Sequence, residues 1–117
     1  MLRILKATRN SWNGLIACAR SEEAFRQELA ALAIAVPLAF IVATDAWRRV
    51  ALIGVVVLLM IVELLNTAIE KLSDHVTPHH HDAIGRIKDM ASAAVGLSLL
   101  LAGVVWLVAL AERFGLL

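Results

Sequence analysis

The sequence holds a single cysteine, Cys18, among 117 residues. One thiol excludes an internal disulfide and any thiolate metal cluster, and Cys18 reads as a small, inert apolar residue. Charge of one sign is equally scarce: 11 Lys and Arg stand against 10 Asp and Glu, for a net +1. Such a balance offers nucleic acid no bulk electrostatic attraction. Neither Gly-x-x-x-x-Gly-Lys-Ser/Thr nor Gly-x-Gly-x-x-Gly occurs, so any nucleotide would be held without the familiar Gly-rich cradles. The N-terminus lacks an unbroken apolar stretch, since Arg3, Lys6, Arg9 and Arg20 interrupt it. It does not read as a cleavable export signal.

Apolar residues are what the chain has in excess. They make up 61% of it, charged residues 18%, and the mean hydropathy is +0.81. A soluble domain is about 45–50% apolar and about 25% charged, and at this length it buries only about two-thirds of its surface. Lipid is the solvent that fits. Three nearly uncharged runs, 29–44, 50–69 and 90–111, would span roughly 24, 30 and 33 Å as helices, against a hydrocarbon core of about 30 Å. The expectation is an all-α membrane protein with three transmembrane helices in one domain, 1–117. Pro37 removes a backbone donor from the first span and is a candidate kink.

Ahead of the spans, residues 2–20 place Leu5, Thr8, Trp12, Leu15, Ile16 and Ala19 at helical spacing, with Arg3, Lys6, Asn10 and Asn13 elsewhere. This pattern predicts a basic amphipathic helix lying on the lipid surface. Ser21 followed by Glu22 and Glu23 predicts a helix N-cap and an acidic first turn. Eight basic residues (Arg3, Lys6, Arg9, Arg20, Arg26, Lys71, Arg86 and Lys88) fall before the first span or between the second and third. Only Arg48, Arg49 and Arg113 fall on the other side. The bias puts the N-terminus and the 71–89 connection in the cytoplasm and the C-terminus outside. Pro78, Asp82 and Gly85 make that connection read as a turn-bearing loop.

The segment richest in chemistry is Glu63-Leu-Leu-Asn66-Thr-Ala-Ile-Glu70-Lys-Leu-Ser-Asp74. At about 100° per residue, Asn66, Glu70 and Asp74 fall at roughly −60°, −20° and +20° from Glu63. These polar groups share one narrow stripe of an otherwise apolar helix. Glu63 lies inside the span, where a carboxylate costs several kcal/mol unless protonated, paired or hydrated. A functional carboxylate accounts for that expense, and so does an interhelical hydrogen-bond ladder. One carboxylate suffices as glue, whereas the stripe has three. A second polar cluster, Gly85-Arg86-Ile-Lys88-Asp89-Met-Ala-Ser92, heads the third span; taken alone it reads as snorkelling anchors. Ser92 and Gly96 form a small-xxx-small pair that permits close helix packing. Trp12, Trp47 and Trp106 read as interface anchors or packing residues. His79, His80 and His81 resemble a metal tract, but consecutive loop residues make a poor tetrahedral site. A solvated polar loop is the plainer reading.

Glu63-x-x-Asn66-Thr67-x-x-Glu70-x-x-x-Asp74, followed by Gly85-Arg86-x-Lys88-Asp89-Met90-x-Ser92-Ala93-Ala94, closely resembles the small integral-membrane diacylglycerol kinases of bacteria. So does the upstream Ser11-Trp12-x-Gly14-Leu15 with Glu22-x-Ala24-Phe25-Arg26-Gln27-Glu28. The resemblance covers nearly the whole chain and is weakest over 29–62 and 71–83. It implies an inner-membrane homotrimer with active sites at subunit interfaces, which moves the γ-phosphoryl group of ATP, with magnesium, onto the primary hydroxyl of diacylglycerol. By that resemblance Glu63 is the general base, and Glu22 and Glu70 hold the metal with the nucleotide phosphates. Arg3, Asn10, Lys88, Asp89 and the loop residues His79, His80 and His81 contact nucleotide. Ala24, Phe25, Arg26, Gln27, Glu28, Asn66 and Ser92, together with Arg3 and Glu63, match positions that bind the lipid.

Three rivals stand beside this reading. An undecaprenol kinase shares the fold and motif, and Phe25-Arg26-Gln27-Glu28 favours diacylglycerol over it. A small proton-coupled exporter would use Glu63 as its proton carrier but gives Glu70, Lys88 and Asp89 no role. A purely structural membrane subunit leaves the polar stripe unexplained.

Overall fold

A computed structural model describes residues 1–117 as four helices and no strand. They are α1 (Leu2–Ser21), α2 (Glu23–Val42), α3 (Ala46–Val76) and α4 (Asp82–Arg113). The last three are each long and apolar enough to cross a membrane. Lipid offers no partner to a backbone N–H or C=O, so an apolar run must satisfy these groups internally, as a helix does.

Element ends differ from the sequence reading in two places. Ser21 is the last residue of α1 and caps nothing; the break falls at Glu22, in extended conformation with φ −120° and ψ 116°. Arg26 secures this joint, its Nη1 donating to the carbonyls of Ala19 at 2.8 Å and Arg20 at 3.2 Å. These are carbonyls that the end of α1 leaves without helical partners.

The 71–89 connection is mostly helix. α3 runs on to Val76, α4 begins at Asp82, and Gly85 lies inside α4. Water solvates the polar side chains of these turns, so they need no lipid to remain helical. His81 caps α4, its Nδ1 accepting the Ala83 N–H at 3.2 Å. Pro37 sits within α2 without ending it.

Helix packing divides into two regions. Towards the α2–α3 turn, Ala39, Ala43, Leu52 and Ala109 pack together against Val42, Ile53, Val105 and Trp106. Small side chains let helices approach closely where lipid removes the hydrophobic drive to associate. Trp106 adds a hydrogen bond, its Nε1 donating to the Leu52 carbonyl at 3.0 Å. It therefore serves packing, while Trp47 stays largely exposed. Arg48 binds both Asp45 and Glu112 at this end, fastening α3 to α4. In the second region Cys18, Phe25 and Met60 bring α1, α2 and α3 together. α1 packs on α2 and α3 and makes no contact with α4.

Candidate active site

The second packing region positions Glu63. It lies one turn beyond Met60 on α3 and is 7% exposed, inside an apolar helix. Asn66 and Thr67, also buried, follow on the same face. Asn66 Nδ2 donates to Glu70 Oε1 at 3.2 Å, and Thr67 Oγ1 donates to Glu63 Oε1 at 3.4 Å. No Lys, Arg or His pairs with Glu63. The carboxylates of Glu22 and Glu70 both lie within its electrostatic reach, as does that of Glu28 from α2. Glu22 at the α1–α2 joint, Glu28 on α2 and Glu70 two turns along α3 thus place negative charge around Glu63.

Two acceptors in this cluster are buried and unpartnered: Glu28 Oε1 and Asn66 Oδ1. A buried polar atom without a partner costs about 1–3 kcal/mol. Both groups lie near Glu63, where a bound hydroxyl or amide would satisfy them. A cavity of about 560 Å³ opens between α1 and α3 next to Thr67, lined by Ser11, Gly14, Cys18, Leu64 and Lys71 among others. Its wall is largely apolar, and Lys71 supplies the cationic group.

The remaining residues singled out in the sequence are distributed more widely. Phe25 is 1% exposed and forms part of the α1–α2–α3 core. Arg26 caps α1 through its guanidinium, while Ala24 and Gln27 are exposed. Lys88, on the first turns of α4, pairs with Asp74 at the end of α3. The 77–81 loop lies beside this pair, so that Asp74, His79, His80, His81 and Lys88 line one small cavity. Arg3 and Asn10 are exposed on α1, and Asp89 and Ser92 are exposed on α4. Because α1 does not touch α4, a single chain leaves Arg3 and Asn10 apart from Lys88 and Asp89. Ser92 and Gly96 pack nothing within the chain: Ser92 is exposed, and a Cβ at Gly96 would meet no atom within 4 Å.

The family model for prokaryotic diacylglycerol kinase matches residues 9–110. The chain belongs to the prokaryotic diacylglycerol kinase family. It is 46% identical over 113 residues to a diacylglycerol kinase of Escherichia coli strain K12, covering 97% of this chain and 93% of that protein. A Pseudomonas aeruginosa diacylglycerol kinase is 40% identical over 104 residues, covering 89% and 85% respectively. One from Haemophilus influenzae is 34% identical over 106 residues, covering 91% and 90%. Membership makes the chain a lipid kinase, and the matched region includes all of α2 and α3 and most of α1 and α4. Every residue of the carboxylate cluster around Glu63 lies within it.

Proposed function

We propose that this chain transfers the γ-phosphoryl group of ATP to the primary hydroxyl of diacylglycerol, yielding ADP and phosphatidic acid. Glu63 is the observation that carries the reading. It is a buried carboxylate in a span-length apolar helix, without a basic partner and with three further carboxylates nearby. Glu63 takes the hydroxyl proton as the hydroxyl oxygen bonds to the γ-phosphorus, and the bond from that phosphorus to the β-phosphate oxygen breaks. Phosphoryl transfer needs alignment and charge neutralisation more than covalent help from the protein. Glu70 lies about 10 Å further along α3 than Glu63. This separation suits a lipid hydroxyl held in the membrane and a nucleotide at its surface.

Glu22 and Glu70 would hold magnesium, which takes oxygen ligands and commonly one or two carboxylates with phosphate and water. No three His, Cys, Asp or Glu side chains converge as a closed protein site, and a metal shared with phosphates needs none. Asn66 engages one oxygen of Glu70 and leaves the other free. Bound there, magnesium supplies positive charge to the phosphates.

Arg3, Asn10, Lys88, Asp89 and His79 to His81 form the nucleotide side in this reading. Ala24 to Glu28, Asn66 and Ser92 form the lipid side. The gap between α1 and α4 and the open Ser92–Gly96 face support a homotrimer in which neighbouring copies complete each site. α1 lies on the cytoplasmic surface of the inner membrane, and the chain ends outside after three spans, consistent with the basic-residue bias. The deciding experiment is phosphate transfer from Mg-ATP in mixed micelles, with diacylglycerol and undecaprenol as alternative acceptors. Labelled phosphatidic acid is expected. Preferential labelling of undecaprenol would replace the substrate, and no labelling of either lipid would defeat the reading.

A further inference from the structure

Thr67 does not bond as a helical threonine ordinarily does. Ser and Thr inside helices commonly donate to the carbonyl four residues back. Thr8 does so to Ile4 and Ser98 to Ala94, both at 2.9 Å. Thr67 Oγ1 instead donates to the side chain four residues back, Glu63 Oε1, at 3.4 Å. From the other side Cys18 Sγ, on α1, donates to Thr67 Oγ1 at 3.8 Å. All three residues are buried. Burial pushes the Cys18 thiol upward, so it keeps its proton and acts as a donor. A hydroxyl that accepts from the thiol is left with its own proton to give, and the Glu63 carboxylate is the acceptor in front of it.

We propose that Thr67 is a positioning residue for Glu63, and that Cys18 sets the direction of the Thr67 hydroxyl from α1. This rests on the reading of Glu63 as the general base. A Glu side chain has several rotatable bonds, and the hydrogen bond to Oε1 restricts it to one arrangement while a carboxylate lone pair remains to take the substrate proton. A base must be within about 2.6–3.2 Å of that proton's oxygen to work, so loosening Glu63 lowers the rate without weakening nucleotide binding. Because Cys18 lies on α1, the docking of the N-terminal helix bears directly on the aim of the base.

Thr67→Val keeps the shape and removes the hydroxyl, while Thr67→Ser keeps the hydroxyl. In the assembled enzyme, Thr67→Val is expected to lower kcat about tenfold with KM for ATP unchanged, and Thr67→Ser to retain near-normal kcat. Cys18→Ala should lower kcat a few-fold when Thr67 is present and cause no further loss in the Thr67→Val background. Full activity of Thr67→Val, or equal impairment of Thr67→Ser and Thr67→Val, overturns the proposal. Equal Cys18→Ala losses in both backgrounds overturn the part played by Cys18. Should Thr67→Val not assemble, Thr67→Ala makes the same comparison with Thr67→Ser. Glu63→Gln, assayed alongside, keeps the two levels apart: an active Glu63→Gln defeats the base assignment. An inactive Glu63→Gln beside a fully active Thr67→Val defeats only the positioning role.

Discussion

Lys88 Nζ meets Asp74 Oδ1 across the loop that joins α3 to α4. Lys88 therefore has a partner within the chain before any phosphate arrives. Both side chains are substantially exposed, and an ion pair of that kind contributes roughly 0–1 kcal/mol to stability. A phosphate can compete for the lysine at little cost. Lys88→Ala is expected to raise KM for ATP about tenfold, a change of about 1.4 kcal/mol, while Asp74→Asn changes it by less than about threefold. Steady-state kinetics at saturating lipid distinguish the two. Equal rises in both variants would mean that Lys88 matters only as the partner of Asp74.

Glu63→Gln preserves shape and removes the base. Its kcat should fall by about a hundredfold or more, with both KM values little changed. The measurement requires a variant shown by size-exclusion chromatography to assemble as the parent does, and near-normal turnover would remove Glu63 from the mechanism.

Glu22 and Glu70 are expected to set the requirement for magnesium. Either Gln substitution should raise the magnesium concentration at half-maximal rate about tenfold, or abolish turnover. Titration at fixed ATP reads this directly. Unchanged midpoints in both variants would assign the metal elsewhere.

The Arg48 side chain, donating to Asp45 at 2.8 Å, and the Arg48 backbone N–H at 3.1 Å hold the Asp45 carboxyl below the usual carboxylate range. An acid whose folded value is depressed adds stability above its unfolded value of about 3.9 and loses it as pH falls through the folded one. Thermal midpoints followed from pH 7 downward should be flat with respect to this group until about pH 4 and then fall. In Arg48→Ala that acid-side fall should be smaller. An identical acid profile in both proteins would take Asp45 out of the balance.

Separation of α1 from α4 within one chain makes mixed oligomers informative. Glu63→Gln chains, inactive alone, and Lys88→Ala chains, weak alone at ATP well below their KM, should recover part of the activity when co-assembled and assayed at that ATP concentration if their sites draw on two subunits. No recovery in oligomers shown to contain both chains would place Glu63 and Lys88 of each site on the same subunit.

The sequence displays the all-helical, three-run architecture because lipid makes long uncharged segments obligatory. It shows the ends of those helices poorly. Hydropathy registers where lipid stops, whereas α3 continues in helix to Val76 and α4 starts at Asp82. Ser21 carried the composition of a cap, yet the chain turns one residue later, where Arg26 reaches back to the free carbonyls of α1. The polar stripe was legible because helical periodicity alone aligns Glu63, Asn66 and Glu70. Glu28 Oε1 and Asn66 Oδ1 show their unpartnered state only once helices are packed. The approach of Cys18 to Thr67 joins residues 49 positions apart, and no local pattern reports such a contact; Cys18, which by composition is only a small apolar residue, is the one buried residue of α1.

Only 16 of the 117 residues are buried within the chain, and large apolar side chains stay uncovered along all four helices. Their surroundings, whether acyl chains, detergent or sister subunits, stand in for a core. A melting temperature for this kinase is consequently a property of a mixture: it should move with the amphiphile chosen and, wherever subunits are in exchange, with protein concentration. Variants are comparable only at one lipid composition and one dilution.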